Sequence, residues 1–317
     1  MLQVRVTRKN DEAEGICSFE LRAVDGGELP RFEGGAHIDV HIAAGITRQY
    51  SLCNHPEERH RYLISVLKDS ASRGGSRAMH EQVMQGQLLD ISEPRNLFAL
   101  DQRGAKHLLF AGGIGITPIL AMAHELSQRG ADFELHYCFR SQERAAFIEQ
   151  LQHSPFAGRV HLHDDSGAQK QKLNAATLLA NPASGTHLYV CGPSGFMSHI
   201  LESAENAGWS QDQVHREFFA ATPVEHGTDS PFEVELATSG QVFHIPADRS
   251  VFEVLDEAGI VIETSCELGI CGACITHVLQ GVPDHRDQYM TAAEHACNDR
   301  FTPCCSRSKS PRLVLDL

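Results

Sequence analysis

Six of the ten cysteines in this 317-residue chain fall after residue 265, and four of them carry a spacing that few folds can accommodate. Cys266 and Cys271 enclose four residues, Cys271 and Cys274 enclose two, and Cys304 follows after 29 more. Three thiolates from one tight loop plus a distant fourth is the plant-type arrangement for a 2Fe–2S cluster, in which each iron takes two thiolates beside the bridging sulfides. A loop that brings three sulfurs to one place must be thin. Gly269 and Gly272 can take positive φ and Ala273 adds little bulk, so backbone N–H groups can turn toward the sulfurs. The rival reading is structural zinc, for which Cys271 and Cys274 form one C-x2-C pair. Zinc usually takes a second such pair, and the adjacent Cys304 and Cys305 are poorly built to chelate one tetrahedral ion. Cys297 and Cys305 compete for the fourth position. The spacing favours Cys304 and leaves the other two as small, partly buried side chains.

The other cysteines, Cys17, Cys53, Cys138 and Cys191, are scattered, so the cluster marks a C-terminal module over residues 231–317. Residues 232–236 and 241–245 read as a hairpin turning at Ser239 and Gly240. Residues 250–258 read as a helix with a capping box of Ser250 and Glu253, and Gly259 ends it. This is the pattern of an α+β ferredoxin of the β-grasp type. The module holds 13 acids against 6 bases, a net of −7, and the whole chain stands at −14. Such a balance argues against a nucleic-acid partner and suits a protein partner with a basic patch. No apolar run approaches the length of a membrane span, and residues 1–6 alternate like a strand rather than a leader, so the expected location is the cytoplasm. The 19 histidines read as structural or surface groups.

The chain is long enough for two or three domains. Residues 107–111 are an apolar run that enters Gly112, Gly113, Ile114, Gly115, Ile116, Thr117 and Pro118, followed by a helical period over 119–126. Strand, glycine turn and helix allow a backbone to approach a pyrophosphate at a helix N-terminus. Residues 133–139 and 186–190 read as further strands, the latter opening into Cys191, Gly192 and Pro193. Loops at one edge of a parallel sheet place Gly113, Gly115 and residues 191–193 over a nucleotide. The residues after the second strand, Arg140, Ser141, Glu143 and Arg144, mix acid and base, which leaves NADH and NADPH both open. Residues 1–101 show short alternating strands without long helices, as in an antiparallel barrel. Within them Arg48, Gln49, Tyr50, Ser51 and Leu52 put a guanidinium and an aromatic ring on one strand face. Arg73, Gly74, Gly75 and Ser76 then open a helix with N–H groups and a hydroxyl for a phosphate.

These motifs stand in an order that resembles the phthalate dioxygenase reductase family, and the resemblance covers the whole chain. Within it, residues 48–59, 301–307 and 313–317 are similar to reductases that serve aromatic O-demethylases. The resemblance implies a multidomain protein: a flavin-binding barrel over 1–101, an α/β doubly wound NAD domain over 102–223, a linker over 224–230 and the ferredoxin domain over 231–317. It implies that Arg48, Gln49, Tyr50 and Ser51 hold the flavin, that Val66, Leu67 and Lys68 line it, and that Gly74, Gly75 and Ser76 grip its phosphate. Thr117 is expected near the flavin ring, and Phe219 as the aromatic shielding its nicotinamide side. Gly113, Gly115, Cys191, Gly192 and Pro193 would border NADH. The domain order favours FMN over FAD.

Hydride brings two electrons while an iron–sulfur cluster takes one at a time, and a flavin handles both. A plant-type centre lies at roughly −400 mV, low enough to reduce a Rieske centre. The expected activity is therefore an NADH-dependent reductase, a monomer, serving a separate oxygenase with a Rieske centre, an aromatic O-demethylase. Its rivals are an FAD reductase for another oxygenase, such as one acting on a quaternary amine, and a ferredoxin-type carrier or sensor.

Overall fold

The computed structural model describes residues 1–43, 46–70, 74–168, 171–219, 229–264 and 266–317. Arg73 and residues 224–228 of the expected linker lie outside the described residues. The chain divides into two compact units, Met1–Phe219 and Ala220–Leu317.

The first unit opens with strands β1 (Leu2–Ala13), β2 (Ile16–Ala23), β3 (His37–Ala43), β4 (Ile46–Ser51) and β5 (Tyr62–Leu67), helix α1 (Gly75–Glu81) and strand β6 (Leu88–Ile91). They form an antiparallel sheet in the order β4-β3-β6-β1-β2-β5, and a bridge between Leu52 and Ile64 joins its two ends into a barrel. Period-two alternation sends Val4, Val6, Phe19, Leu21, Ile38, Val40 and Ile64 into the barrel core. His37 breaks the polar-out pattern. It is buried because its Nε2 and the Gln49 side-chain amide hydrogen-bond at 2.9 Å.

The chain continues through β7 (Lys106–Gly112), α2 (Ile116–Gln128), β8 (Asp132–Phe139), α3 (Ile148–Gln152), β9 (Val160–Asp164), α4 (Ala175–Leu179), β10 (Thr186–Cys191), α5 (Ser194–Asn206) and β11 (Val214–Glu217). The sheet is parallel throughout, in the order β11-β10-β7-β8-β9. From β7 the chain moves outward to β8 and β9, then returns to build β10 and β11 on the opposite side. The order therefore reverses between β7 and β10, where the crevice of a doubly wound sheet opens. Leu135, Tyr137, Ile119 and Leu126 pack on one face, and Leu108, Phe110, Leu188, Val190, Met197 and Ile200 on the other. Helix α2 starts at Ile116, three residues before the expected start. Pro118 is tolerated there because first-turn N–H groups have no intrahelical acceptor.

The second unit contains β12 (Phe232–Leu236), β13 (Val242–Ile245), α6 (Val251–Glu257), β14 (Thr276–Gln280), β15 (Pro283–Asp284), α7 (Ala292–Cys297), β16 (Arg300–Phe301), β17 (Arg307–Ser308) and β18 (Arg312–Leu315). Its main sheet runs β13-β12-β18-β14-β16, with β12 and β18 parallel and the hairpin β12–β13 antiparallel. Val251 and Leu255 of α6 pack on Phe232, Val234, Ile245 and Leu313. Cys297 departs from expectation: it ends α7 exposed to solvent, and its thiol donates to the Ala293 carbonyl at 3.4 Å.

The capping box on α6 is complete. Ser250 Oγ accepts the Glu253 N–H at 3.1 Å, and the Glu253 carboxylate accepts the Ser250 N–H at 2.8 Å. Ser250→Ala is expected to lower the stability of the C-terminal unit by about 1 kcal/mol, measured by urea unfolding followed through the cluster absorbance, with the barrel transition unmoved.

Candidate functional site

In the second unit the cysteine loop forms because its glycines leave no room for side chains. Gly269 (φ +72°) would set a Cβ 2.4 Å from Cys305 Sγ, and Gly272 (φ +72°) would set one 2.5 Å from the Tyr289 ring. The sulfurs fall into two pairs. Cys274 and Cys304 stand 3.3 Å apart, Cys266 hydrogen-bonds with Cys271, and Cys266 and Cys274 are within electrostatic reach of each other. Backbone N–H groups do face the sulfurs: Leu268 donates to Cys266 at 3.3 Å and Ala273 to Cys271 at 3.5 Å. Four thiols in two pairs, with N–H donors aimed at them, fit a cluster in which each iron takes two thiolates. Cys305 also lies against the loop at Gly269 and bonds with Cys304, and its sulfur is further held 3.3 Å from Thr302 Oγ1 and 3.9 Å from Ser306 Oγ.

The segment behind the loop is tied down by charge. Arg286 donates to both Asp229 oxygens, at 2.9 and 2.5 Å, and to Asp284 at 2.9 Å. Asp287, buried under Gly269, accepts the Met290 N–H at 2.8 Å and contacts His295 at 3.1 Å.

In the first unit the glycine turn after β7 and the loop after β10 touch at the point where the strand order reverses. A Cβ on Gly115 would lie 2.2 Å from the Cys191 carbonyl oxygen and 2.7 Å from the Gly192 nitrogen. A Cβ on Gly192 would lie 3.0 Å from Gly112 Cα, so these loops meet backbone to backbone. Gly113 takes a positive φ of 53°. Pro193 is the N-cap of α5. Thr117 is buried, and its hydroxyl is taken by the Ile114 carbonyl at 3.0 Å.

The barrel motif reaches the same edge. Ser51, the last residue of β4, donates from its hydroxyl to Glu217 Oε2 at 3.3 Å, and Glu217 is the register partner of Cys191 across β10 and β11. Arg48 lies along Gly75 so closely that a Cβ there would meet its Cγ at 2.5 Å, which sets the guanidinium stem against the start of α1. Gly74 caps that helix with a left-handed φ of 93°. These close approaches form a cradle that a side chain would fill, and they fit a phosphate-bearing cofactor. Burial pushes the Tyr50 phenol up, beyond its ordinary range. Ser76 Oγ accepts the Asp69 N–H at 3.2 Å. Val66 belongs to the barrel core, whereas Leu67 is exposed and Lys68 pairs with Glu81 at 2.9 Å. Phe219 stands two residues beyond β11 and is 40% exposed.

Glu217 is the residue that sequence reasoning missed. Its only signal was an acid ending a short strand just before two phenylalanines. Burial pushes its carboxyl up to about 8, against the pull of the Ser51 hydroxyl. An acid whose pKa rises on folding contributes fully below its ordinary value and loses that contribution as pH climbs to its folded value. Glu217 therefore takes stability away between about pH 5 and pH 8, so the thermal midpoint of Glu217→Gln is expected to gain on that of the wild type as pH rises through this range. Calorimetry across this range checks it, and parallel curves for the two proteins would remove Glu217 as the source.

Two family models match the chain. Residues 92–214 match the N-terminal domain of the dimethylamine monooxygenase subunit DmmA-like family, and residues 234–309 match the 2Fe-2S iron-sulfur cluster binding domain. The vanillate O-demethylase oxidoreductase of Pseudomonas putida is 60% identical over 318 residues, covering 100% of both chains. The phthalate dioxygenase reductase of Burkholderia cepacia is 39% identical over 317 residues, covering 100% of this chain and 97% of the relative. The solved structure of phthalate dioxygenase reductase, described as a modular structure for electron transfer from pyridine nucleotides to [2Fe-2S], superposes with a TM-score of 0.75 at 39% identity. It covers 100% of this chain and 98% of that one. Barrel, doubly wound sheet and ferredoxin module thus recur together in one set of relatives, and the chain belongs to the phthalate dioxygenase reductase family as an electron-transfer reductase for an oxygenase component.

Proposed function

We propose that this chain takes hydride from NADH at an FMN site and sends single electrons, through a cluster on Cys266, Cys271, Cys274 and Cys304, to an oxygenase with a Rieske centre that demethylates vanillate. The carrying observation is the hydrogen bond from Ser51 to Glu217, because it joins the barrel motif to the carboxyl edge of the nucleotide sheet beside Cys191. The vanillate assignment draws on the 60% identity with the Pseudomonas putida reductase. When bound, the flavin supplies the conversion of a two-electron hydride into single electrons, and the cluster supplies their exit.

The chain's own residues have definite work in this reading. Arg48 and the N–H groups after Gly74 hold the flavin phosphate. Gly112, Gly115 and Gly192 let two loops close together, so the nicotinamide can lie over the β7–β10 crevice. Glu217 keeps a proton at neutral pH, so no fixed negative charge stands beside Ser51 where hydride arrives. Phe219 stands exposed two residues past β11, where an aromatic ring can cover the flavin. NADH is favoured over NADPH because Arg144, a base after β8, is already paired with Glu14 at 3.1 Å. The boundaries at 101/102, 223/224 and 230/231 are the working domain division, and the chain acts as a monomer. A second reading, an oxygenase acting on an amine, draws on the amine monooxygenase model over residues 92–214.

Anaerobic addition of NADH to the purified holoprotein is expected to bleach its visible spectrum and to support cytochrome c reduction. Heat should release FMN. Failure to bleach would sink the reductase reading, and release of FAD would overturn the FMN assignment. Reconstitution with the vanillate oxygenase, against an amine oxygenase, separates the two partner readings.

Cys304→Ser is expected to lose the cluster spectrum yet retain NADH-dependent flavin reduction, while Cys305→Ser keeps the cluster. The reverse pattern would make Cys305 the ligand.

A further inference from the structure

Three histidines and a glutamate crowd one face of the parallel sheet on β8 and β9. Glu134 and His136 are two residues apart on β8, so they share a face. His161 is the register partner of His136 on the edge strand β9. His136 stacks between Phe110 at 5.1 Å and His161 at 4.7 Å and is buried. Its Nε2 has no hydrogen-bond partner among the described residues.

The hydrogen-bond chain fixes where the protons are. The Gln171 carbonyl can only accept, so His163 Nδ1, 3.1 Å away, must carry the hydrogen. In the neutral ring the other nitrogen, Nε2, is an acceptor. That Nε2 lies 3.1 Å from His136 Nδ1, which must then donate. A neutral His136 ring then has one donor and one acceptor nitrogen. Its Nε2 is therefore a bare lone pair. It faces Glu134 Oε2 at 3.6 Å, and His161 Nε2 lies 3.9 Å from the same oxygen. Lys106 Nζ donates to the other Glu134 oxygen at 2.6 Å. A lone pair on a buried imidazole that faces a carboxylate oxygen is repulsive unless a cation lies between them.

We propose that Glu134, His136 and His161 form a binding site for a divalent zinc ion, with His163 positioning His136. The three ligand atoms lie within 4.8 Å of one another. Zinc at about 2.0–2.2 Å from nitrogen and oxygen places its ligands about 3.3 Å apart, so small side-chain rotations close the site. Two imidazoles and one carboxylate suit zinc rather than magnesium or calcium. Phe110 covers one side of His136, while the 47% exposed His161 leaves one direction open for a water ligand. His136 passing its other ring N–H to a second group is the usual support for a metal-bound histidine. The ion would tie the edge strand β9 to β8. The groups at Asp101, His187 and His215 and at His285, Asp287 and His295 differ. In the first, His187 and His215 are already bonded to each other at 2.9 Å, and in the second the carboxylate of Asp287 is already taken by His295 at 3.1 Å and by the Met290 N–H at 2.8 Å.

The test is zinc chloride titrated into the holoprotein, with iron, zinc and flavin counted per chain and the thermal midpoint recorded. The expected result is one zinc per chain beyond the cluster iron, with a raised midpoint. His161→Ala, an exposed and fold-safe change, should abolish both, and His163→Ala should weaken binding about tenfold or more. The other two histidine groups remain in these variants and serve as internal controls. No zinc uptake by the wild type, or equal uptake by wild type and His161→Ala, overturns the site. So does nitrogen NMR showing His136 doubly protonated with and without zinc, which would make the cation a proton.

Discussion

The backbone of Gly115 lies against the carbonyl of Cys191, with no space for a Cβ between them. Much of the catalytic unit depends on that approach. It closes the loop after β7 onto the loop after β10 at the point where the strand order reverses. With the loops in contact, β11 pairs beside β10 and carries Glu217 level with Cys191. Ser51 of the barrel can then reach Glu217. A methyl group at residue 115 would push these layers apart, because the atoms it meets are backbone and cannot swing away.

The C-terminal unit solves a similar problem by different means. Its loop must bring three thiols near a fourth without a helix or strand to guide it. Gly269 and Gly272 provide the positive φ values, and Glu267 adopts one as well, at 54°. The loop is held from behind by buried charge. Asp287 sits against Gly269, and Arg286 spans Asp284 and Asp229. Arg307 donates to the carbonyls of Arg249, Pro246 and Ser230. Removing one partner from such a network leaves an uncompensated charge, which costs far more than the pair itself contributes. The expected acidic character of this module thus includes acids that hold the loop in shape as well as acids that face solvent.

The histidines were the least legible feature. Read one at a time they looked structural, and His37 and His107 are indeed simply buried. Their grouping depends on register. His136 meets His161 only because β8 and β9 pair in parallel at that offset, and His187 meets His215 only because β10 and β11 do. No spacing in the chain announces a pairing across two strands. Glu217 was hidden for the same reason: its carboxyl has meaning only beside Ser51, 166 residues away.

The sequence by itself determined the local pieces. Cysteine spacing defined a tight cysteine loop, alternation defined the barrel strands, Ser250 and Glu253 defined a helix start, and the glycine turn defined the passage from β7 into α2. Each is set by neighbours within a few residues, so short-range sterics and hydrogen bonding write it directly into the chain. The tertiary structure decided what these pieces do together. It set the Cys304 thiol 3.3 Å from that of Cys274. It placed Ser51, Cys191 and Glu217 at one edge and aimed the His136 lone pair at Glu134. Those choices rest on strand register and on backbone contacts between distant segments, which only the packed fold supplies.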